Sequence, residues 1–144
     1  MRISYAKCTI LLPLIFLSTA LFAENKPWEG AYISTKSIFP DEMLEMAKKQ
    51  GESVEGSYPA LYLHDNGTIE TVIFGKVERQ GAYTVEGRRL IVTYTNKSTN
   101  KTETDANNTF SEDYSQLTLG SGNDAWLYIK KDSPARAGID PMAK

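Results

Sequence analysis

YPALYLHDNGTIETVIFGKVERQGAYTVEGRRLIVTY, residues 58–94, is the stretch that determines the fold. Apolar and polar residues alternate along it, and turn-forming residues interrupt the alternation at intervals. Because successive side chains of a β-strand point to opposite faces, this pattern predicts four consecutive antiparallel strands. The expected result is a meander with one apolar face.

The first hairpin of this stretch has its turn at Asp65-Asn66-Gly67, three residues that tolerate left-handed backbone dihedrals. A three-residue turn places Leu63 opposite Ile69 and Leu61 opposite Thr71. These side chains then form one inner row. The side chains expected on the outer face are Tyr62, His64 and Glu70.

The second hairpin repeats the pattern around Glu86-Gly87, which is the predicted turn. Tyr83 and Val85 precede it at alternate positions and share one face of their strand. The residues that continue this inner face after the turn are Leu90, Val92 and Tyr94.

The first 23 residues have the organisation of a secretory signal peptide. Arg2 and Lys7 precede an apolar run over residues 10–22, and the small residue Ala23 suits cleavage after it. The run is shorter than the ~20 apolar residues that span a bilayer, so no membrane span is predicted. The sequence therefore predicts a protein that is periplasmic or secreted after cleavage near Ala23.

Cleavage would remove the chain's single cysteine, Cys8, together with two of its 16 cations and none of its 18 acids. Cys8 precedes the apolar run, whereas the lipid-bearing cysteine of a lipoprotein follows it. The mature chain then offers neither a disulfide nor a thiol nucleophile, and it has no basic stripe for nucleic acid. We predict one monomeric domain over residues 24–131 and a flexible tail over residues 132–144.

Residues 27–38 are predicted to form a first strand, with Trp28, Gly30 and Tyr32 on one face. The next residues, FPDEMLEMAKKQG, predict a helix that has Pro40 at its first position and ends at Gly51. Its apolar stripe either packs over the barrel or forms an adaptable lid, because unbranched methionine side chains repack easily. The residues of that stripe are Met43, Met46 and Ala47, with Leu44 beside them.

Three further segments have the character of strands. Lys101 to Phe110 predicts a polar strand, residues 114–119 alternate through Leu117 and Leu119, and residues 125–130 are apolar on both faces. The count is then seven or eight strands with one short helix after the first. Closure into an up-and-down barrel pairs the edges of all these strands, so we predict a mainly β, single antiparallel barrel.

The order of these signals resembles the lipocalin-like small β-barrels of bacterial envelope proteins. The segments that carry the resemblance are Gly30-x-Tyr32, Leu61-x-Leu63 before Asn66-Gly67-Thr68, Gly81-x-Tyr83-x-Val85-x-Gly87-x-x-Leu90-x-Val92, Leu117-x-Leu119 and the terminal aromatic strand. The chain is also similar to the barrel domain of copper-resistance and envelope-stress lipoproteins, without their paired cysteines. The resemblance implies a barrel fold and leaves the ligand open.

The sequence contains no recognisable catalytic set. His64 is the only histidine, whereas a metal site needs two or more nitrogen or sulfur ligands at suitable spacing. A serine nucleophile would need His64 as its base, and no nucleophile-elbow sequence lies near it. We therefore predict no catalytic residue, no metal and no cofactor.

The inward aromatic and leucine side chains have two possible roles. They either fill the barrel or line an apolar cavity that holds a ligand. The residues of the hypothetical ligand-binding cavity are Tyr32, Leu61, Leu63, Tyr83, Tyr94 and Trp126.

The expected function is that of an exported, non-catalytic binding or accessory protein of the cell envelope. Its partner would be a small apolar molecule or an envelope protein. One alternative is a small barrel enzyme, isomerase-like or cyclase-like, whose distinguishing feature would be a buried carboxylate such as Glu70 or Glu78. Another alternative is a purely structural envelope component.

Overall fold

A computed structural model describes residues 25–96 and 98–134 of the chain. Eight strands form a closed antiparallel barrel in which sequence neighbours pair and β1 closes against β8. The predicted mainly β barrel with one short helix after the first strand is thereby confirmed. The elements are β1 (Gly30–Ser34), α1 (Asp41–Lys49), β2 (Ala60–Leu63), β3 (Thr68–Ile73), β4 (Lys76–Glu86), β5 (Arg89–Asn96), β6 (Lys101–Phe110), β7 (Gln116–Leu119) and β8 (Trp126–Lys130).

The first hairpin, β2–β3, has the predicted register. Leu63 pairs with Ile69 and Leu61 with Thr71, and the turn closes with a bond from the His64 amide to the Thr68 carbonyl. Leu61, Leu63 and Ile69 are almost completely buried. The register is well determined because a slip of one residue would move this apolar row into water.

The second hairpin, β4–β5, keeps the predicted faces but turns one residue later than predicted. Glu86 pairs with Arg89, so Gly87 and Arg88 are the two loop residues. Gly87 has φ +62°, and a tight two-residue loop needs a residue that adopts positive φ at its first central position. Glycine therefore takes that position, and the predicted turn at Glu86-Gly87 was displaced by one residue.

The inner faces of the strands form one apolar core. The strands contribute alternate residues to it, as the two-residue periodicity predicts. The buried members of the core are Tyr32, Leu61, Leu63, Ile69, Tyr83, Leu90, Val92, Phe110, Leu117 and Tyr128.

One end of the barrel, here called the aromatic end, is covered by a set of aromatic side chains. Phe110 stacks on Tyr32 and on Tyr114, with ring centroids 5.9 and 5.3 Å apart, and Trp28 lies 5.7 Å from Tyr114. Tilted ring pairs at these distances are favourable. The backbone segments at this end are residues 25–29, 64–67, 87–88 and 111–115.

The opposite end, here called the forked end, carries the connection from β1 to β2. In this connection α1 follows Pro40, which lies at the N-cap and not at the first helical position as predicted. Leu44 is the buried residue of the helix, and Gly51 ends it with φ +75°. The other described segments at this end are residues 74–75, 98–100 and 120–125.

Three strands differ in their boundaries from the sequence-based prediction; β8 begins at Trp126, one residue later than predicted. β1 is shorter than the predicted 27–38, and β7 begins at Gln116 because Tyr114 has φ +57°, which interrupts extended structure. The predicted signal peptide, residues 1–23, and residues 135–144 of the predicted tail lie outside the described residues.

Candidate functional site

The sheet divides at the forked end between β4 and β5. These strands pair from Glu86–Arg89 to Ala82–Thr93, and the β4–β5 register ends there. Beyond this point β4 continues alongside β3, whereas β5 continues alongside β6 to the pair of Asn96 and Lys101. We call the gap between the two diverging halves the fork.

A bulge lies on each side of the fork. In β4 the extra residue is Glu78, between the pairs that Arg79 and Val77 make with β3. In β6 the register shifts between the partners of Leu90 and Val92. A bulge bends its strand and increases the local twist, so two bulges on opposite sides favour separation of the halves.

Asn108 fixes the bulge in β6. Its side chain is 1% exposed and donates to the carbonyl oxygens of Leu90 at 3.3 Å and Asp105 at 3.4 Å. Its own amide oxygen accepts from the Gly120 amide at 3.2 Å. A buried side-chain amide with three partners is well satisfied, and here those partners hold the irregular part of β6 in place.

Backbone groups on both sides of the fork face each other. The Tyr83 amide donates to the Gly67 carbonyl, so the main-chain groups of Tyr83 point toward β3. The main-chain groups of successive strand residues point to opposite edges, so the N–H and C=O of Gln80, three residues away, face the fork. On β5, the Asn100 amide donates to the Asn96 carbonyl on the β6 side, so the N–H and C=O of Thr95 face the fork. The fork thus presents main-chain donors and acceptors from both walls.

The fork encloses a groove of about 840 Å³. This volume lies within the range of ~300–1,000 Å³ that is usual for ligand pockets. The lining residues are Thr68, Val77, Glu78, Arg79, Gln80, Gly81, Ala82, Thr93, Tyr94, Thr95, Asn96 and Glu103.

A weak side-chain contact spans the groove. The Arg79 guanidinium carbon lies 3.6 Å from the centre of the Tyr94 ring, and an Arg79 nitrogen lies 3.8 Å from a Glu103 oxygen. Tyr94 also packs on Gly81, where a Cβ atom would lie 2.7 Å from the ring. Arg79 and Glu103 are more than half exposed, so this contact contributes at most about 1 kcal/mol and can open easily.

Exposed apolar side chains gather at the same end of the barrel. Phe39 and Phe74 lie with ring centroids 5.7 Å apart, and the Phe74 amide donates to the Gly56 carbonyl at 2.8 Å. Among the described residues, the large hydrophobic side chains that are 36% to 59% exposed are Ile38, Phe39, Met43, Met46, Phe74 and Val77. We call these six residues the apolar set. Four of them lie in the β1–β2 connection, Phe74 lies in the β3–β4 turn, and Val77 lies at the start of β4.

The β3–β4 turn holds Phe74 in an unfavourable backbone conformation. Phe74 has φ +50° and Gly75 has φ +73°, which are the positive values that a two-residue hairpin turn of type I′ needs at both positions. Asn, Asp and Gly are the residues that usually adopt this conformation, whereas a bulky aromatic residue rarely does. The turn therefore presents an aromatic ring to solvent at some expense in stability.

The six sequence-predicted site residues lie in two different environments. Tyr32, Leu61, Leu63 and Tyr83 belong to the buried core cluster. Tyr94 and Trp126 are partly buried and pack against that cluster, and Tyr94 also lines the groove. Whether any of the six touches a ligand stays a prediction.

The hydroxyl groups of the buried tyrosines bind backbone oxygens at the aromatic end. The Tyr83 hydroxyl donates to the His64 carbonyl at 2.6 Å, and the Tyr32 hydroxyl lies 3.0 Å from the Tyr114 carbonyl oxygen. Burial raises the pKa of both tyrosines above the ordinary value. Burial likewise raises the pKa of Tyr128 to about 12. These phenols are therefore neutral structural groups at ordinary pH.

The remaining candidates for chemistry lie outside the core. His64 and Glu70 form a 2.9 Å pair on the outer face, where Gln80 also donates to Glu70 at 3.3 Å. Glu78 is exposed in the β4 bulge. Across residues 25–96 and 98–134, no cluster of three or more His, Cys, Asp or Glu side chains could hold a metal ion.

Sequence reasoning missed the fork and the exposure of the apolar set. Met43 and Met46 were expected to pack over the barrel or to form a lid, whereas they are 51% and 59% exposed and Leu44 is the buried residue of the helix. The alternation of side chains along β4 and β5 is the same before and after the point at which their pairing ends, so periodicity alone does not reveal the fork. One signal was present: Phe74-Gly75 lies where a hairpin turn was required, and an aromatic residue is unusual there.

Comparisons with protein-family models, with curated proteins and with solved structures found no match. The helix in the described part of the chain is too short to cross a bilayer, and that part contains no other candidate membrane-spanning helix. The functional argument therefore rests on the geometry of this chain.

Proposed function

We propose that this protein is an exported, non-catalytic binding protein of the lipocalin-like type, and that it holds a partner protein at the forked end. The single observation that supports this most is the apolar set. Single exposed apolar side chains are normal in soluble proteins, whereas several large ones gathered in one region usually mark an interaction site. Here six exposed apolar side chains share one end of the barrel with the groove.

The composition of the apolar set fits a protein surface. Phenylalanine and methionine are enriched at the centres of protein interfaces, and methionine adapts its shape to a partner. Phe74 adds a second argument, because backbone strain that persists in a fold is often found at functional positions. A binding role is also favoured by the core: apart from its tyrosines, the buried polar residues in the described chain are Ser34, Ser57 and Asn108, and none of them is a carboxylic acid or a histidine.

The experiment is site-specific photo-crosslinking in the cells that produce the protein. A photoreactive phenylalanine analogue replaces Phe39 in one variant and exposed Arg88, at the aromatic end, in the matched control. We expect a discrete protein adduct from position 39 and none from position 88. Equal adducts from both positions, or none from either, would contradict the proposal.

Native mass spectrometry of the same purified protein tests the small-ligand alternative. A retained molecule of low mass, together with no adduct at position 39, would mean that the protein binds a small ligand and not a partner protein.

Amino-terminal sequencing tests export. The exported form should begin at Glu24, and an uncleaved terminus would contradict export through a cleaved signal peptide.

A further inference from the structure

We propose that the fork receives an extended peptide segment of the partner, which inserts between β4 and β5 and pairs with both of them. This inference rests on the proposed function and specifies how the partner is bound. Addition of a strand to a sheet is a known mode of peptide recognition, and here the strand would enter between two walls of one sheet.

The first argument is the arrangement of main-chain groups. Gln80 on β4 and Thr95 on β5 each direct an N–H and a C=O toward the fork, beyond the last β4–β5 pair. An extended peptide carries N–H and C=O groups on both of its edges, so one segment can bond to both walls.

The second argument is the length of the walls. The β5 wall is formed by Tyr94, Thr95 and Asn96, and the β4 wall by residues 77–81. At ~3.3 Å per residue, the shorter wall is about 10 Å long and matches an inserted strand of three to four residues. The groove volume of about 840 Å³ accommodates a segment of this size with its side chains.

The third argument concerns the side chains that border the fork. The two residues whose main-chain groups face the fork, Gln80 and Thr95, carry neutral side chains, which would neither repel a neighbouring strand nor demand one particular charge. On the inner face, Arg79 covers Tyr94 through a contact that is exposed and weak. Arg79 can therefore move aside and let an inward side chain of the peptide stack on the Tyr94 ring.

The free edge of β6 is a poorer site for the same purpose. β7 pairs with β6 only at Asn108, Thr109 and Phe110, so residues 101–107 have no strand on that side. Lys101, Glu103 and Asp105 place charges along this edge, and a bulge follows them. Charges and bulges are the features by which natural sheets prevent unwanted pairing at an edge. The fork also has a bulge and charged side chains, at Glu78 and Arg79, but it offers main-chain groups from two walls where the β6 edge offers them from one, so we assign the inserted strand to the fork.

The test begins with a random peptide library selected on the mature wild-type protein. Enriched peptides are then measured against Gln80→Pro and Thr95→Pro, each matched by its alanine variant. Proline removes an N–H that faces the fork, and this N–H is not part of the β3–β4 or β5–β6 ladder. We expect each proline variant to weaken binding about tenfold, equivalent to about 1.4 kcal/mol, and each alanine variant to change it by less than about threefold.

Amide hydrogen exchange on the wild-type protein gives a readout that does not depend on the folding of a variant. The Gln80 and Thr95 amides should exchange rapidly in the free protein and become protected when an enriched peptide binds. Slow exchange of both amides in the free protein would overturn the proposal, because the fork would already be occupied or closed. Equal losses from proline and alanine, or the absence of any enriched peptide, would also overturn it.

The outcome separates strand insertion from the proposed function. If the protein adduct at position 39 persists unchanged in Gln80→Pro while peptide binding does not depend on the fork, the partner binds without inserting a strand. If position 39 gives no adduct in the wild-type protein, the proposed function itself fails.

Discussion

The aromatic end and the forked end of this barrel are built from the same eight strands but differ in what their side chains contact. At the aromatic end, Phe110 and Tyr32 are 1% and 0% exposed, and the hydroxyl groups of tyrosines bind the backbone of adjacent loops. At the forked end, Phe39 and Phe74 contact each other yet remain substantially exposed, and two strands diverge.

This difference shows that stability and binding can be assigned to opposite ends of a small barrel. Aromatic residues at one end exclude water and tie loops to the core, so they stabilise the fold. Aromatic residues at the other end leave much of their area in water, so burial by a partner would still be favourable. The predictions below compare the two ends, from the largest expected effect to the smallest.

Truncation of a large apolar side chain should have very different effects at the two ends. Phe110→Ala removes a buried ring that contacts Tyr32 and Tyr114, so we expect it to lower the free energy of unfolding by about 3–5 kcal/mol. The matched open-surface change, Met46→Ala, should alter it by no more than about 0.5 kcal/mol. Urea denaturation monitored by circular dichroism measures both values.

Comparable losses from these two variants would contradict the division between the ends. If Phe110→Ala fails to fold, hydrogen exchange on wild-type protein makes the same comparison. Amides of residues in β6 beside Phe110 should then exchange far more slowly than amides of α1.

Alkaline pH should destabilise the barrel through its buried tyrosines. Burial raises the pKa of Tyr128 from the ordinary value of 10.0 to about 12. Between these values the unfolded chain loses the phenolic proton and the folded chain keeps it, so stability falls as pH rises from about 10 to about 12. This contribution to stability is fully present below pH 10, and its size for this group is on the order of 3 kcal/mol.

Tyr128→Phe should reduce this alkaline loss, because phenylalanine has no proton to release. The matched control is Tyr62→Phe on the outer face of β2, which should leave the loss unchanged. Urea midpoints recorded at pH 8, 10 and 11 show the effect. A wild-type urea midpoint that does not change between pH 8 and 11 would contradict this prediction, because it would mean that the phenols have the same pKa in the folded and the unfolded chain.

The sequence predicted the barrel because its signals are local. Two-residue alternation fixed the inner row of Leu61, Leu63 and Ile69, and Asp65-Asn66-Gly67 fixed their register through the turn. The fork was not predictable in this way. It depends on two bulges and on the continued pairing of β4 with β3 and of β5 with β6 beyond the last β4–β5 pair. Such features arise from the twist of the whole sheet and leave no periodic pattern.

The candidate site was predictable only in part. Tyr94 was expected to face inward and does line the groove, but Arg79 and Glu103, which meet it, come from distant positions in the sequence. Tyr32 and Tyr83 were predicted either to fill the barrel or to line a cavity together with Tyr94, and they lie in the core with their hydroxyl groups on backbone oxygens. Alternation assigns a side chain to a face and gives no information about its height along the barrel.

The smallest expected effect is on the free energy of unfolding and concerns Phe74, whose backbone is strained in the turn at the forked end. Phe74→Asn places a residue that tolerates positive φ in a turn of type I′, so the relief of strain opposes the loss of contact with Phe39. We expect the free energy of unfolding to stay unchanged or to rise by up to about 1 kcal/mol. Phe39→Asn is the matched control, because it loses the same ring contact without any relief and should therefore destabilise the protein.

Both variants should weaken capture of the partner at the forked end, because each removes an exposed ring. The combination of unchanged or greater stability with lost binding in Phe74→Asn would show that the strained aromatic turn is retained for binding and not for folding. Urea denaturation and crosslinking from position 43 measure the two properties on the same protein. If Phe74→Asn were as destabilising as Phe39→Asn, the ring would stabilise the turn, and the forked end would resemble the aromatic end in this respect.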